Sequence, residues 1–448
     1  MKKITILFAV LIMAIIFAFS ANAAEIVDSG TCGLKGDNVK WTLDSEGVVV
    51  ISGEGKMDDY DYHDGDLPPF FRDDRVVKAI VKEGVTTLGR AMFSECKNLV
   101  SVIFEGRVKV EELGLADCDN LRFLYSYKGF TYERQAFDGT EGISKVFVGV
   151  NNESEAGFAR LLNGELFLGA VYSDGFVYQI VDSKARLVGA EPGCFSGEFT
   201  LPEKIDGYEL TTIGNKALRL TDITKLTVPD CVTNLENGAF SSMFKLEEAT
   251  IGKGISVLPY SAFNNCLSLK KVSLPDTITK FDTVKRIYYG VEYDSNVGAQ
   301  FADCTSLEEI TLPSKLEYIP AGTFSHCRSL KSIVIPDSVK DFLPSFQIVP
   351  GNSITEITVK NVYSYAFSEC DSLESIVLPA NLRSIPSRTF YHCDNLTEVY
   401  IPGSVTEISE EAFKYCTKLE SVVVPISVKN IGAFAFMACK NMENICCK

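Results

Sequence analysis

Two His-Cys pairs, His326-Cys327 and His392-Cys393, and five aspartates around His63 (Asp58, Asp59, Asp61, Asp64 and Asp66) are the residues whose types and spacing could do chemistry. A thiol beside an imidazole suggests a cysteine nucleophile or a zinc site, and a run of carboxylates suggests a calcium loop. A nucleophile needs its base within hydrogen-bond reach, but adjacent residues on an extended coil face opposite ways, and no Asn or Asp recurs beside both pairs. The aspartate run lacks the glycine at loop position 6 and the acid at position 12 of an EF-hand, and reads as a solvated loop. Only three histidines are scattered through 448 residues, and no nucleotide signature appears. The expectation is a non-enzyme with no metal and no cofactor.

The cysteines point to an element rather than a reaction. Of 14, nine recur at one phase: Cys96, Cys118, Cys266, Cys304, Cys327, Cys370, Cys393, Cys416 and Cys439, each three residues after a Phe or its substitute. In the second half the Phe positions are 240, 263, 301, 324, 367, 390, 413 and 436, mostly 23 residues apart, each trailed by apolar residues at the sixth and ninth positions and usually the eleventh. A period in the twenties marks a solenoid, whose units have no core alone and bury their apolar side chains only by stacking. One unit reads Phe413, Cys416, Leu419, Val422, Val424, Pro425, with the proline ending a short strand. The fold class is therefore a β-rich α/β leucine-rich repeat solenoid, with a parallel strand on the inner face of each coil of about 23 residues and short helical or irregular turns outside. The ladder cysteines are expected to be free, because stacked side chains pointing the same way make poor disulfides.

The unit Ala-Phe-x-x-Cys-x-x-Leu-x-x-Val-x-Ile-Pro-x-Ser-Val-x-x-Ile, seen around Ala412-Phe413 and in Ile401-Pro402-Gly403-Ser404-Val405-Thr406-Glu407-Ile408, resembles the BspA-like leucine-rich repeat family of surface proteins. Gly30-Thr31-Cys32-Gly33, Trp41-Thr42-Leu43-Asp44 and Ile51 to Met57 resemble the segment that precedes the repeats in that family. The resemblance implies a non-catalytic binding protein whose partner is a host extracellular-matrix protein or another cell's surface.

Residues 1–23 read as a signal peptide: Lys2 and Lys3, an apolar run from Ile4 to Phe19, then Ala21-Asn22-Ala23. The apolar run falls short of a bilayer span, so secretion without membrane insertion after cleavage is expected. No lipobox or wall-sorting motif suggests covalent attachment, which leaves a secreted protein or one held non-covalently at the cell surface. A net charge of −16 argues against nucleic acid and anionic membrane as partners.

Residues 24–71 read as a capping hairpin, 72–121 as a first short array, and 122–191 as a region where the pattern fades before a second capping hairpin. The main array occupies 192–448, with insertions near 281–297 and 341–362. Pro275 to Phe301 spans 26 residues and Pro336 to Phe367 spans 31, where Pro313 to Phe324 spans 11. The first insertion holds Tyr288, Tyr289 and Tyr293, the second Phe342, Phe346 and Ile348. Such loops either cover the solenoid wall or, through the tyrosines, form a platform for a glycan or peptide.

Strand alternation turns two columns outward. One includes Glu309 and Glu398; the other becomes apolar through Val334, Val377, Tyr400 and Val423. That patch reads either as a protein-binding surface or as residues chosen for strand propensity. A further reading is self-association through the strand edge at Ile445.

Overall fold

The computed structural model describes residues 24–60, 65–150, 165–288, 291–350, 357–361 and 363–447. Residues 1–23, read from sequence as a signal peptide, and His63 and Tyr289 lie outside them. The chain divides into two compact units, 1–171 and 172–448.

The first unit opens with antiparallel strands Ile26–Gly33, Gly36–Asp44 and Val48–Gly53. Asp44 closes the turn to the third strand, its Oδ1 accepting the amides of Glu46 and Val48 at 2.9 Å. Trp41 packs edge-on against Phe70 with ring centroids 4.8 Å apart. Parallel strands then add in turn: Lys78–Val81, Ser101–Phe104, Phe123–Ser126, Lys145–Val148 and Glu165–Leu168. Coils therefore continue through the stretch where the sequence pattern fades. Phe137, Thr140, Ile143, Val146 and Val148 occupy the Phe, Cys, Leu and strand positions, all buried. Thr140 does the cysteine's work with a hydroxyl, donating to the Leu115 carbonyl at 2.6 Å and accepting the Cys118 amide at 3.0 Å.

The second unit begins with the hairpin Phe176–Val181 to Lys184–Ala190. Its two turn residues, Asp182 and Ser183, both have positive φ, as the right-handed twist of a two-residue hairpin requires. Parallel strands follow, the two longest parallel ladders forming five-stranded sheets. The first runs Ser196–Thr200, Asp222–Thr227, Glu248–Thr250, Lys271–Ser273, Glu309–Ile310. The second runs Ser332–Val334, Ser375–Val377, Glu398–Tyr400, Ser421–Val424, Asn444–Cys447. Behind both lies one column of phenylalanines from Phe240 to Phe436, adjacent rings stacked 5.0–5.5 Å apart. The outer turns are irregular, and no helix occurs among the described residues.

The column is unbroken at both insertions, where Phe263 stacks on Phe301 and Phe324 on Phe367. Each insertion forms an antiparallel hairpin, Lys285–Tyr288 with Val291–Asp294 and Phe346–Pro350 with Ile357–Asn361. Phe342, assigned by sequence to the second insertion, is instead core: it is buried and packs edge-on against Phe367 at 5.7 Å.

Candidate functional site

Each coil of the later array places two residues in the left-handed region, two before and two after its Phe: Tyr365 and Glu369, Arg388 and His392, Glu411 and Tyr415. The second residue after Phe is thus turned outward just before the cysteine turns in, which separates the His-Cys pairs. His326 is half-exposed and bonded to Asp303 (Nδ1 to Oδ1, 2.7 Å) and Glu369 (Nε2 to Oε1, 3.3 Å). The Cys327 thiol is buried and donates to the Phe301 carbonyl at 3.2 Å. His392 stacks on Tyr415 at 4.3 Å, while Cys393 donates inward to the Phe367 carbonyl at 3.1 Å.

All nine ladder thiols make this bond to the Phe carbonyl of the preceding coil or its Phe93 and Phe70 counterparts, at 2.9–3.2 Å. A small apolar residue with one weak donor fits a site that must fill space and satisfy a buried acceptor. Burial pushes the Cys96 and Cys266 thiols up to about 12, and drives Cys327 and Cys393 well above the usual thiol range. Thiolate, the reactive form, is therefore scarce at neutral pH. At pH 8, alkylation of the native chain mapped by mass spectrometry is expected to mark exposed Cys194 and half-buried Cys231 among the described cysteines. The eight fully buried ladder thiols should react only after unfolding; native modification of Cys327 or Cys370 would contradict this.

The strand faces differ between the units. In the first, Ser101–Phe104 and Phe123–Ser126 are buried at every position. In the second, the alternation leaves outward residues exposed: Val334 is 64%, Val377 57% and Tyr400 74% accessible. Register aligns Val334 with Val377 and Tyr400 with Val423, although Val423 is half-buried rather than fully exposed. Between Glu309–Ile310 and Ser332–Val334 the ladder is interrupted, and a cleft of about 570 Å³ opens there, with Val334 and Glu309 in its walls. Glu309 is held by Lys271 at 2.5 Å, whereas Glu398 has no ion pair among the described residues. Tyr288 and Tyr293 lie on the two strands of the first insertion hairpin.

Sequence reading missed a second cluster on the turn side. The Arg388 guanidinium lies 4.0 Å from the Tyr363 ring centre and 5.3 Å from that of Tyr391, and donates to the Tyr365 hydroxyl at 2.6 Å and to Glu411 at 2.5 Å. Glu411 is almost fully buried, and its hydrogen bonds from Lys414 and Arg388 hold its carboxyl below the usual range. Reading the column two residues before each Phe, which runs Tyr365, Arg388, Glu411, would have exposed it. With every charge answered inside it, the cluster ties three coils together.

Residues 70–156, 190–290, 292–347 and 351–448 match a family described as BspA type leucine rich repeat region, in six copies. Among solved structures, the chain is similar to a leucine-rich repeat protein from Eubacterium ventriosum (19% identity over 87% of this chain and 95% of that one, TM-score 0.34). It is also similar to one from Bacteroides ovatus (18%, 90% and 92%, TM-score 0.37). A third is a leucine rich cell surface protein from Faecalibacterium prausnitzii (20%, 62% and 94%, TM-score 0.26). No curated protein matches the chain.

Proposed function

The chain belongs to the BspA-type leucine-rich repeat family, and from that premise we propose that it is a secreted or cell-surface, non-catalytic binding protein that holds a protein partner on the strand face of its second unit. The observation behind this reading is the exposed column Val334, Val377, Tyr400. Their inward neighbours Ile333, Ile376 and Val399 already fill the core, so the outward apolar groups are not needed to fold the coil. A contiguous apolar row facing water is the usual mark of an interaction surface, and a tyrosine in its midst is a rigid anchor able to bury a ring while keeping its hydroxyl bonded. The partner proposed is a host matrix protein or a protein of another cell's surface; residues 1–23, read as a leader, support export.

Binding to a panel of immobilised matrix proteins and to a glycan array tests this reading. Val377→Glu with Tyr400→Glu is expected to weaken a saturable protein interaction at least tenfold, with deletion of residues 283–297 leaving it within twofold. The reverse result, or a glycan signal alone, would move the site to the tyrosine insertion. Self-association is a second reading, resting on the exposed apolar residues Ile431, Phe434, Met437 and Ile445. A molar mass that rises with concentration and falls on Phe434→Glu would support it.

A further inference from the structure

We infer that the partner of this strand face presents an apolar row lying beside a row of lysine or arginine side chains; the inference rests on the strand-face reading above and adds the partner's chemistry. It comes from a difference between the two five-stranded sheets of the second unit. In the first sheet the outward charges answer each other from strand to strand. Lys225 pairs with Glu248 at 3.0 Å, Lys270 with Glu247 at 2.7 Å and Lys271 with Glu309 at 2.5 Å. That surface is largely closed electrostatically, with exposed Glu198 and Glu308 outside any ion pair among the described residues.

The second sheet is not. The residue just before each of its strands forms a column joined by backbone bonds: Glu374 to Lys331 at 2.9 Å, Thr397 to Glu374 at 3.2 Å, Glu420 to Thr397 at 3.1 Å, Glu443 to Glu420 at 3.1 Å. Glu398 stands next to it, on the strand itself and paired in register with Ser421. Glu374, Glu398, Glu420 and Glu443 are all exposed, and none has an ion pair among the described residues. Neighbouring strands lie roughly 4.8 Å apart, well inside the Debye length of about 8 Å at physiological salt, so these charges feel one another. On the other side of the apolar column the turn residues after the second, third and fourth strands, Ala380, Gly403 and Ile426, are uncharged, with Ile426 91% exposed, whereas the first strand is followed there by exposed Asp337. From the second strand onward the face thus has a polarity across it, carboxylates along one edge and aliphatic and aromatic side chains along the middle, while the first strand carries exposed Lys331 on that edge. A protein segment with an apolar stripe and a basic flank would bury the first and neutralise the second; nucleic acid and anionic lipid would meet the carboxylates with like charge.

A fluorescein-labelled 14-residue leucine–lysine amphipathic helix, its leucine–glutamate counterpart and fluorescence anisotropy test the idea on the purified chain. The lysine peptide is expected to bind and to weaken at least tenfold between 50 and 500 mM salt. Glu374→Lys with Glu398→Lys and Glu420→Lys should weaken it at least tenfold and admit the glutamate peptide. Glu203→Lys with Glu407→Lys and Glu410→Lys makes the same net-charge change elsewhere, and should move neither by more than twofold. Equal effects of the two triple variants would show mere net-charge attraction and overturn the inference. Val377→Ser with Tyr400→Ser separates the two levels. Loss of lysine-peptide binding in that variant, with none in the first triple, leaves the strand face as the site and rejects the charged partner. No loss in either rejects both.

Discussion

Phe324→Ala is expected to lower the unfolding free energy of the second unit by about 3–5 kcal/mol, read as a shifted midpoint in denaturant followed by circular dichroism. Phe324 is fully buried, between Phe301 at 5.4 Å with planes 4° apart and Phe367 at 5.3 Å with planes 15° apart. Removing the ring takes away contacts on both faces at once. The backbone cannot close the gap, because the Phe324 amide is tied to the Ala366 carbonyl at 2.8 Å and its carbonyl receives the Cys370 thiol at 3.2 Å. Phe436 is the internal control: among the described residues it stacks on Phe413 alone, at 5.3 Å, and is half-exposed. Phe436→Ala should cost less than half as much. Equal costs would mean that the stack is not what stabilises the coils.

Gly53→Val is expected to cost on the order of 3 kcal/mol or more in the first unit. Gly53 has φ of +130°, a region closed to residues with a Cβ, and a Cβ placed there would stand 2.1 Å from the Asn38 carbonyl oxygen. That atom cannot yield, since it accepts the Glu54 amide at 2.9 Å while Gly53 sits opposite Val39 in the hairpin. Trp41, the sole tryptophan, lies on the paired strand Gly36–Asp44 against Phe70. Its fluorescence should therefore report an earlier unfolding transition; an unchanged transition would show that the hairpin tolerates another path.

The two substitutions also show what sequence makes legible. The Phe column was readable because stacking demands the same residue in each coil, and Phe, Cys and Leu recur at fixed offsets. The coils at Phe70 and Phe137 were hidden because the cysteine position needs only a small group that does not disrupt the turn. Asp73 and Thr140 stand there instead, and the eye trained on cysteine passes over them. The hairpin from Phe176 to Ala190 was visible in Asp182-Ser183, whose turn chemistry is local. Outward strand positions followed from alternation alone, and the exposed Val334, Val377 and Tyr400 agree with it. What alternation does not reveal is which exposed charges find partners: Glu309 does and Glu398 does not, a matter of which strand lies alongside. The Arg388 cluster was missed for a related reason, since it depends on left-handed residues turning side chains of successive coils toward one another.

Hydroxyl-radical footprinting of the chain, alone and saturated with a protein partner identified by the binding panel, tests the proposed strand-face site most directly. Tyr400 is the reporter, a reactive ring 74% exposed in the free chain. Its oxidation should fall at least fivefold in the complex, with smaller drops at Val334 and Val377 and none at exposed Val257. A saturable complex in which Tyr400 oxidises as fast as in the free chain would contradict the assignment of the strand face as the binding surface.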